Sequence, residues 1–143
     1  MPGIVLTTDL SAESQRAFAP VRELAERLQL DVTLLAVLED IPYEPVAGNM
    51  MGVYPDRHQL HIDWVKKLKE LAEPLGALCK TTVVLDAADI PHAIVEYAKE
   101  HKADYIAMAT HGRAGLRRLL LGSIAELVVR HATVPVVLYP PGE

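Results

Sequence analysis

Two polar segments of the sequence carry groups that suit a phosphorylated ligand. They are residues 7–11 (Thr-Thr-Asp-Leu-Ser) and residues 109–115 (Ala-Thr-His-Gly-Arg-Ala-Gly), the second followed by Gly122 and Ser123. Glycines let backbone N–H groups approach an anion, and a helix that begins near Ser123 adds unpaired N–H groups and a favourable dipole. In the alternative interpretation the glycines shape a turn and Ser123 caps a helix. Isolated glycines do not decide between the two.

Charged residues accompany both segments. Asp9 follows the first apolar run, where ligands bind in doubly wound sheets, so we favour a ligand contact; the alternative is that it orders the start of the first helix. Arg113, Arg117 and Arg118 fall within six residues, beside His111. These arginines either neutralise phosphates or project into solvent.

Familiar catalytic and nucleotide motifs are absent from the sequence. It contains no G-x-G-x-x-G after the first apolar run and no Gly-Lys-Ser/Thr, which excludes the usual dinucleotide and Walker-type sites. His58 and His61, near Asp63, do not complete a tetrahedral zinc site. His111 lies in a loop where it can contact phosphate or water, but it has no carboxylate or cysteine close in sequence to make it a catalytic base. We therefore expect no catalytic residues, no metal site and no efficient enzyme, with slow ATP hydrolysis left open.

Short apolar runs alternate with helical patterns along the chain. The runs are residues 4–6, 32–38, 82–85, 105–109 and 136–139, of which the third is the weakest. Nearly continuous apolar runs are typical of parallel strands buried on both faces. Helical patterns cover residues 17–28, 60–75, 93–98 and 124–128. This order predicts an α/β domain with a doubly wound five-stranded parallel sheet and helices on both faces.

Prolines mark the irregular parts of the chain. Pro20 and Pro74 lie inside helical patterns, so we expect a kink near the first and a helix end near the second. Asp89 followed by Pro91 predicts the start of a helix. Residues 39–57 show no periodicity and form a long loop, which we expect to be partly ordered.

Composition limits the classes of protein that remain. The 143 residues carry 14 Lys and Arg against 19 Asp and Glu, for a net charge of −5, and a single cysteine. An acidic chain is a poor general ligand for nucleic acid, and a lone cysteine fits a reducing compartment. The N-terminus does not resemble a signal peptide, and no apolar run approaches the roughly 18 residues of a membrane span. We expect a single cytoplasmic domain that binds neither nucleic acid nor membrane.

The second segment belongs to a longer pattern. Ala-Thr-His-Gly, nine residues, Gly-Ser, a helix and Val-Pro-Val-Val-Leu resemble the signature of the universal stress protein family. Nucleotide-binding members of that family carry G-x2-G-x9-G-[S/T], and Ala109 stands here at the first glycine. The resemblance covers residues 1–143 and implies the strand order 3-2-1-4-5.

The resemblance also implies a ligand and its site. Adenine nucleotide, ATP or AMP, with or without Mg²⁺, is expected in the crevice between the first and fourth strands. The residues assigned to adenine, ribose and phosphates are Thr8, Asp9, Val37, Met108, Ala109, Gly112, Arg113, Gly122, Ser123 and Ile124. Ala109 keeps its backbone N–H but adds a methyl group.

Two functions follow from the resemblance. In the first, the protein is a nucleotide-binding regulatory module of the stress response that acts as a homodimer on an unidentified protein partner. The dimer contact is expected along residues 134–139, from Val134 to Tyr139, whose apolar edge would otherwise pair without control. In the second, the protein binds no ligand and acts through its surface alone; Ala109 is the main support for this alternative.

Overall fold

The computed structural model describes residues 3–40, 56–111 and 121–141. Within these ranges, five strands alternate with four α-helices. The strands are β1 (Gly3–Thr7), β2 (Asp31–Glu39), β3 (Cys79–Ala87), β4 (Tyr105–Ala109) and β5 (Val136–Tyr139). The helices are α1 (Phe18–Leu28), α2 (Arg57–Ala72), α3 (Ile90–Glu100) and α4 (Ser123–His131). Short 3₁₀ helices at Ser14–Ala17 and Glu73–Leu78 precede α1 and follow α2.

The strands form one parallel sheet in the order β3-β2-β1-β4-β5. This confirms the predicted fold class and strand order. In the centre, Leu6 of β1 lies opposite Leu34 of β2 on one side and Ala107 of β4 on the other. The chain winds outward from β1 to β3 and then crosses back to β4, so winding reverses between β1 and β4. In such sheets this reversal opens a crevice at the carboxyl ends of the two strands.

Alternate strand residues pack into two separate cores. Ile4 and Leu6 of β1 lie among residues of α1 and α2, whereas Val5, between them, lies among residues of α3 and α4. The same alternation places Ala107 in the first core and Met108 in the second. Because both faces of the sheet are covered, its strands are apolar almost without interruption.

Aspartates fix the starts of two helices. The carboxylate of Asp56 accepts the backbone N–H of Gln59 at 3.1 Å at the start of α2, and that of Asp89 accepts the backbone N–H of His92 at 3.0 Å at the start of α3. Each bond satisfies an N–H group that has no partner within its helix. The helix start predicted from Asp89 and Pro91 is thereby confirmed.

The prolines act at helix ends. α2 ends at Ala72, two residues before Pro74, as expected. Pro20 is the third residue of α1, and the chain changes from 3₁₀ to α geometry just before it. The first turn of a helix tolerates the missing N–H of proline. Pro20 therefore lies at the start of α1 and does not produce the kink that was expected inside a helix.

Two segments differ from their expected extent. β3 spans Cys79–Ala87, longer than the predicted 82–85, because it is an edge strand with exposed polar positions that hide it from an apolar search. β2 continues through Glu39 and α2 begins at Arg57, so regular structure reaches both ends of the predicted loop 39–57. Its residues 41–55 lie outside the described residues. Among those described, no helix has the length and apolar character needed to cross a membrane.

We expect the buried face of α2 to contribute more to stability than its exposed face. The side chain of Leu68 is fully buried, whereas Ile62 of the same helix is 45% exposed. Leu68→Ala should lower the free energy of unfolding by about 2–5 kcal/mol through lost burial and a residual cavity. The matched control Ile62→Ala should change it by about 0.5 kcal/mol or less. Equal effects of the two substitutions in urea unfolding would contradict this packing.

Candidate functional site

A cavity of about 250 Å³ lies at the carboxyl ends of β1 and β4. Eight of the ten residues assigned to a ligand from the sequence line it: Thr8, Asp9, Val37, Met108, Ala109, Gly122, Ser123 and Ile124. The other two, Gly112 and Arg113, lie outside the described residues, as do Arg117 and Arg118. The structure thus brings together residues that are more than 100 positions apart in sequence.

One wall of the cavity is apolar. It is formed by residues of the α3/α4 face of the sheet, chiefly Leu35, Val37 and Met108, with Ile94 of α3 above them. Sequence reasoning missed Ile94 as a site residue. The apolar face of a helix indicates that the helix is buried, but not which of its residues reaches a cavity. Its place at the site follows from the crossover between β3 and β4, which packs α3 against β2 and α4.

The turn after β1 is held by a chain of buried hydroxyl groups. Thr8, Ser11 and Ser14 are each less than 10% exposed. The oxygens of the Thr8 and Ser14 hydroxyls lie 2.7 Å apart, and the Ser14 hydroxyl donates to the Ser11 carbonyl at 2.8 Å. The Ser11 hydroxyl donates in turn to the carboxylate of Asp9, which also accepts the Ser11 backbone N–H at 3.0 Å. The turn therefore fixes the orientation of the Asp9 carboxylate.

The donor of each hydroxyl bond follows from its neighbours. The Ser11 carbonyl can only accept, so the Ser14 hydroxyl donates its one proton to it. In the bond between the two hydroxyls, Thr8 must therefore be the donor and Ser14 the acceptor. The Thr8 oxygen meanwhile accepts the Leu10 backbone N–H at 3.0 Å. Thr8 therefore lines the cavity with its hydroxyl proton already committed to the protein.

Backbone strain accompanies this network. Leu10 has a φ of 70°, in the left-handed region that costs an ordinary residue about 1–2 kcal/mol. Its N–H bond to Thr8 and the packing of its side chain against the α1/α2 core hold it there. Strain of this kind is concentrated at functional sites, where the surrounding structure enforces it.

The opposite side of the cavity is the start of α4. The N-cap of this helix is Gly122, whose own N–H donates to the Thr110 carbonyl at 2.7 Å, and no side chain of the described residues caps the helix. Ser123 is the first helical residue, so the interpretation of Ser123 as a cap is wrong. Since Gly122 has no side chain, the N-cap residue itself offers no capping acceptor to the first N–H groups of α4. They give this side of the cavity a positive potential.

His111, for which the sequence suggested a contact with phosphate or water, lines the cavity. It lies two residues after the end of β4, is only 8% exposed, and has its Nδ1 3.0 Å from the Thr110 hydroxyl oxygen. Its Nε2 is buried and has no hydrogen-bond partner in the described structure. In the sequence, the only signal for it was its position between a strand end and a glycine.

The remaining reactive side chains lie away from the cavity. Burial raises the pKa of the Cys79 thiol, at the start of edge strand β3, which keeps it protonated and a weak nucleophile. His61 Nδ1 lies 2.8 Å from the Asp86 carboxylate. Among the described residues, no three His, Cys, Asp or Glu side chains gather in a group that could hold a metal ion.

Comparison with known proteins agrees with this architecture. The family model of the universal stress protein family matches residues 2–140. The universal stress protein MJ0531 of Methanocaldococcus jannaschii is 33% identical over 138 residues, which cover 94% of this chain and 79% of the relative. The chain belongs to the universal stress protein family.

Solved structures share the fold of this family member. The structure of the protein MJ0577 has a TM-score of 0.78 at 22% identity and covers 99% of this chain and 96% of its own. A universal stress protein from Archaeoglobus fulgidus in complex with dAMP has a TM-score of 0.68 at 20% identity, covering 96% and 97%. One from Arabidopsis thaliana with AMP bound has a TM-score of 0.64 at 18% identity, covering 99% and 93%.

We expect the hydroxyl chain to stabilise the fold even without a ligand. Ser14→Ala removes both bonds of the Ser14 hydroxyl and leaves the buried Thr8 proton without its acceptor. It should lower the free energy of unfolding by about 1–3 kcal/mol. Ser123→Ala, at an exposed position of the same cavity, is the matched control and should have an effect of about 0.5 kcal/mol or less. Urea unfolding of nucleotide-free protein measures both, and a Ser14→Ala effect as small as the control would contradict the assigned network.

Proposed function

We propose that this protein binds an adenine nucleotide, ATP or AMP, in the cavity and acts as a regulatory module of the stress response. The observation that carries the proposal is that two chemically different groups face one cavity. The Asp9 carboxylate stands on one side, and the uncapped start of α4 stands on the other. An apolar wall joins them, which suits a ligand with an anion, a hydroxyl-bearing sugar and a flat apolar ring.

The phosphate belongs at the start of α4. Backbone N–H groups at an uncapped helix N-terminus bind anions through hydrogen bonds and the helix dipole. Ser123 and Ile124 provide these groups, and both line the cavity. Gly112 and Arg113 remain predicted phosphate contacts. If the ligand is ATP, Mg²⁺ accompanies it and neutralises part of the phosphate charge.

The nucleoside belongs against the other surfaces. Val37 and Ile94 offer apolar contact for the faces of a purine ring. The Asp9 carboxylate, oriented by Ser11, is a suitable acceptor for sugar hydroxyl groups. Thr8 contributes packing and orders the turn, since its hydroxyl proton is already donated to Ser14.

The bound ligands of the structural neighbours support this proposal. The Archaeoglobus fulgidus and Arabidopsis thaliana proteins hold dAMP and AMP. Both ligands combine adenine, a pentose and a phosphate, the three chemical groups that the surfaces of this cavity fit.

We propose binding rather than turnover. Thr110 and His111 lie in contact at 3.0 Å, which is the arrangement of a nucleophile and a base. A catalytic base also needs a third group that orients it. Within the described residues, the remaining ring nitrogen of His111 has no such partner.

The ligand-free alternative rests on Ala109 at the position of a motif glycine. Ala109 packs in the core on the α1/α2 face, whereas Met108 and the apolar wall of the cavity belong to the α3/α4 face. Its methyl group is therefore directed away from the proposed purine site. This placement favours nucleotide binding over a purely protein-binding role.

We also propose a cytoplasmic homodimer that contacts a further protein. β5 is an edge of the sheet, and its residues Val136, Val137, Leu138 and Tyr139 are only partly buried. An apolar edge with unpaired backbone groups is a template for another strand. A second copy of the same chain presents a matching edge.

Nucleotide binding should appear as a thermal shift. AMP at about 100 times its dissociation constant should add about 2.7 kcal/mol to the free energy of unfolding, which raises Tm by several degrees. Asp9→Asn removes the charge but keeps an oxygen for Ser11, and should weaken AMP binding about tenfold or more. Asp56→Asn, at the cap of α2, is the matched control and should leave the affinity unchanged.

The same samples distinguish the alternatives. Absence of a shift with millimolar AMP, ADP and ATP would refute the nucleotide proposal and favour the ligand-free alternative. Rapid release of ADP from added ATP would instead contradict binding without turnover.

The dimer has its own test. Light scattering at micromolar concentration should give twice the 15.7 kDa mass of the chain, because burial of the β5 edge favours association. A mass of one chain over the whole concentration range would rule out the homodimer without affecting the nucleotide proposal.

A further inference from the structure

The His111 ring presents a polar atom for which the described part of the chain provides no partner. The residue is more than nine-tenths buried, and its Nε2 is shielded from solvent with no hydrogen bond in the described structure. Buried polar groups in folded proteins nearly always have partners, so an unpaired one needs an explanation. A ligand that brings the missing partner is one.

The ring orientation places this atom on the side of α4. Nδ1 is turned toward the Thr110 hydroxyl at 3.0 Å. On the other side of the ring, Cδ2 lies 3.8 Å from the position that a Cβ on Gly122 would occupy. Nε2 is bonded to Cδ2, so the unpaired nitrogen lies on the edge of the ring that adjoins the α4 N-terminus, where His111, Gly122 and Ser123 line the same cavity.

The surroundings favour a donor at this nitrogen. When the Thr110 hydroxyl donates to Nδ1, the ring proton resides on Nε2. The adjacent α4 N–H groups are donors as well, and together they form a concave set that accepts an anion. A proton on Nε2 adds a side-chain donor to that set.

We propose that His111 is a specificity-determining residue whose Nε2–H donates a hydrogen bond to a phosphoryl oxygen of the bound nucleotide. The proposal rests on the nucleotide function proposed above and deepens it. The site then selects a phosphorylated nucleoside over the bare nucleoside. Without a phosphate, the Nε2–H group remains buried and unpaired, and that cost falls on the nucleoside complex.

Two substitutions separate the nitrogens of the ring. The amide nitrogen of Gln reaches approximately the position of Nε2, and that of Asn reaches approximately the position of Nδ1. His111→Gln therefore preserves a donor toward the phosphate, and His111→Asn removes it while preserving a polar group beside Thr110. Both keep an uncharged polar side chain, so each is the control for the other.

Calorimetric titration with AMP and with adenosine tests the proposal. His111→Asn should weaken AMP binding about tenfold, which corresponds to about 1.4 kcal/mol, and should change adenosine binding less than threefold. His111→Gln should bind both ligands within about threefold of the wild-type protein. Circular dichroism establishes that each variant is folded.

An NMR measurement on the wild-type protein does not depend on the variants folding. Long-range ¹H–¹⁵N spectra of the histidine rings should show a protonated Nε2 on His111 whose resonance shifts when AMP is added and shifts much less with adenosine. A deprotonated Nε2 in the AMP complex would overturn the proposal.

The outcomes of these experiments distinguish the proposed role of His111 from the proposed binding of nucleotide. Equal loss of AMP and adenosine affinity in His111→Asn, or no loss of either, would overturn the role of His111 while nucleotide binding stands. A wild-type protein that binds neither ligand would overturn both proposals. A wild-type protein that binds both equally well would overturn selection by the phosphate.

Discussion

The hydrogen bond from the Gly122 N–H to the Thr110 carbonyl, 2.7 Å long, joins the start of α4 to the end of β4. The candidate site depends on it, because it places an uncapped helix N-terminus at the crevice between β1 and β4. The close approach also favours a glycine. A Cβ at position 122 would stand 3.1 Å from that same carbonyl oxygen, closer than most Cβ contacts. The residue that leaves the helix uncapped is thus also the one that permits the close approach.

On the other side of the crevice, hydrogen bonds of hydroxyl groups order the turn after β1. There the chain holds Leu10 in a strained left-handed conformation by satisfying its backbone from the Thr8 hydroxyl. Each buried hydroxyl proton needs an acceptor. The Ser14 oxygen accepts the Thr8 proton, and the Ser14 proton is donated to the Ser11 carbonyl. The β1 turn is consequently ordered before any ligand arrives. The cost of orienting the Asp9 carboxylate is met during folding rather than during binding.

Separation of the two cores sets Ala109 apart from the apolar wall of the cavity. Strand residues alternate between faces, so a methyl group at 109 enters the α1/α2 core while the apolar wall of the cavity belongs to the α3/α4 core. The effect of a side chain at a motif position on the cavity therefore depends on the face of the sheet toward which that side chain points. The linear pattern that relates Ala109 to Gly112 and Gly122 does not contain that information.

The sequence by itself determined the order of elements, the parallel sheet and the polar ends of β1 and β4. These follow from local properties: an apolar run is buried, a proline interrupts a helix, and an aspartate caps one. The resemblance of the sequence to a known family, rather than these local properties, indicated the eight assigned residues that line the cavity. Only the tertiary structure decided that Ser14 and Ile94 line the same cavity, and that β3 begins at Cys79. Ser14 joins the site through hydroxyl contacts made in the turn after β1, and Ile94 reaches it through a crossover; packing of that kind leaves no periodic trace in the chain.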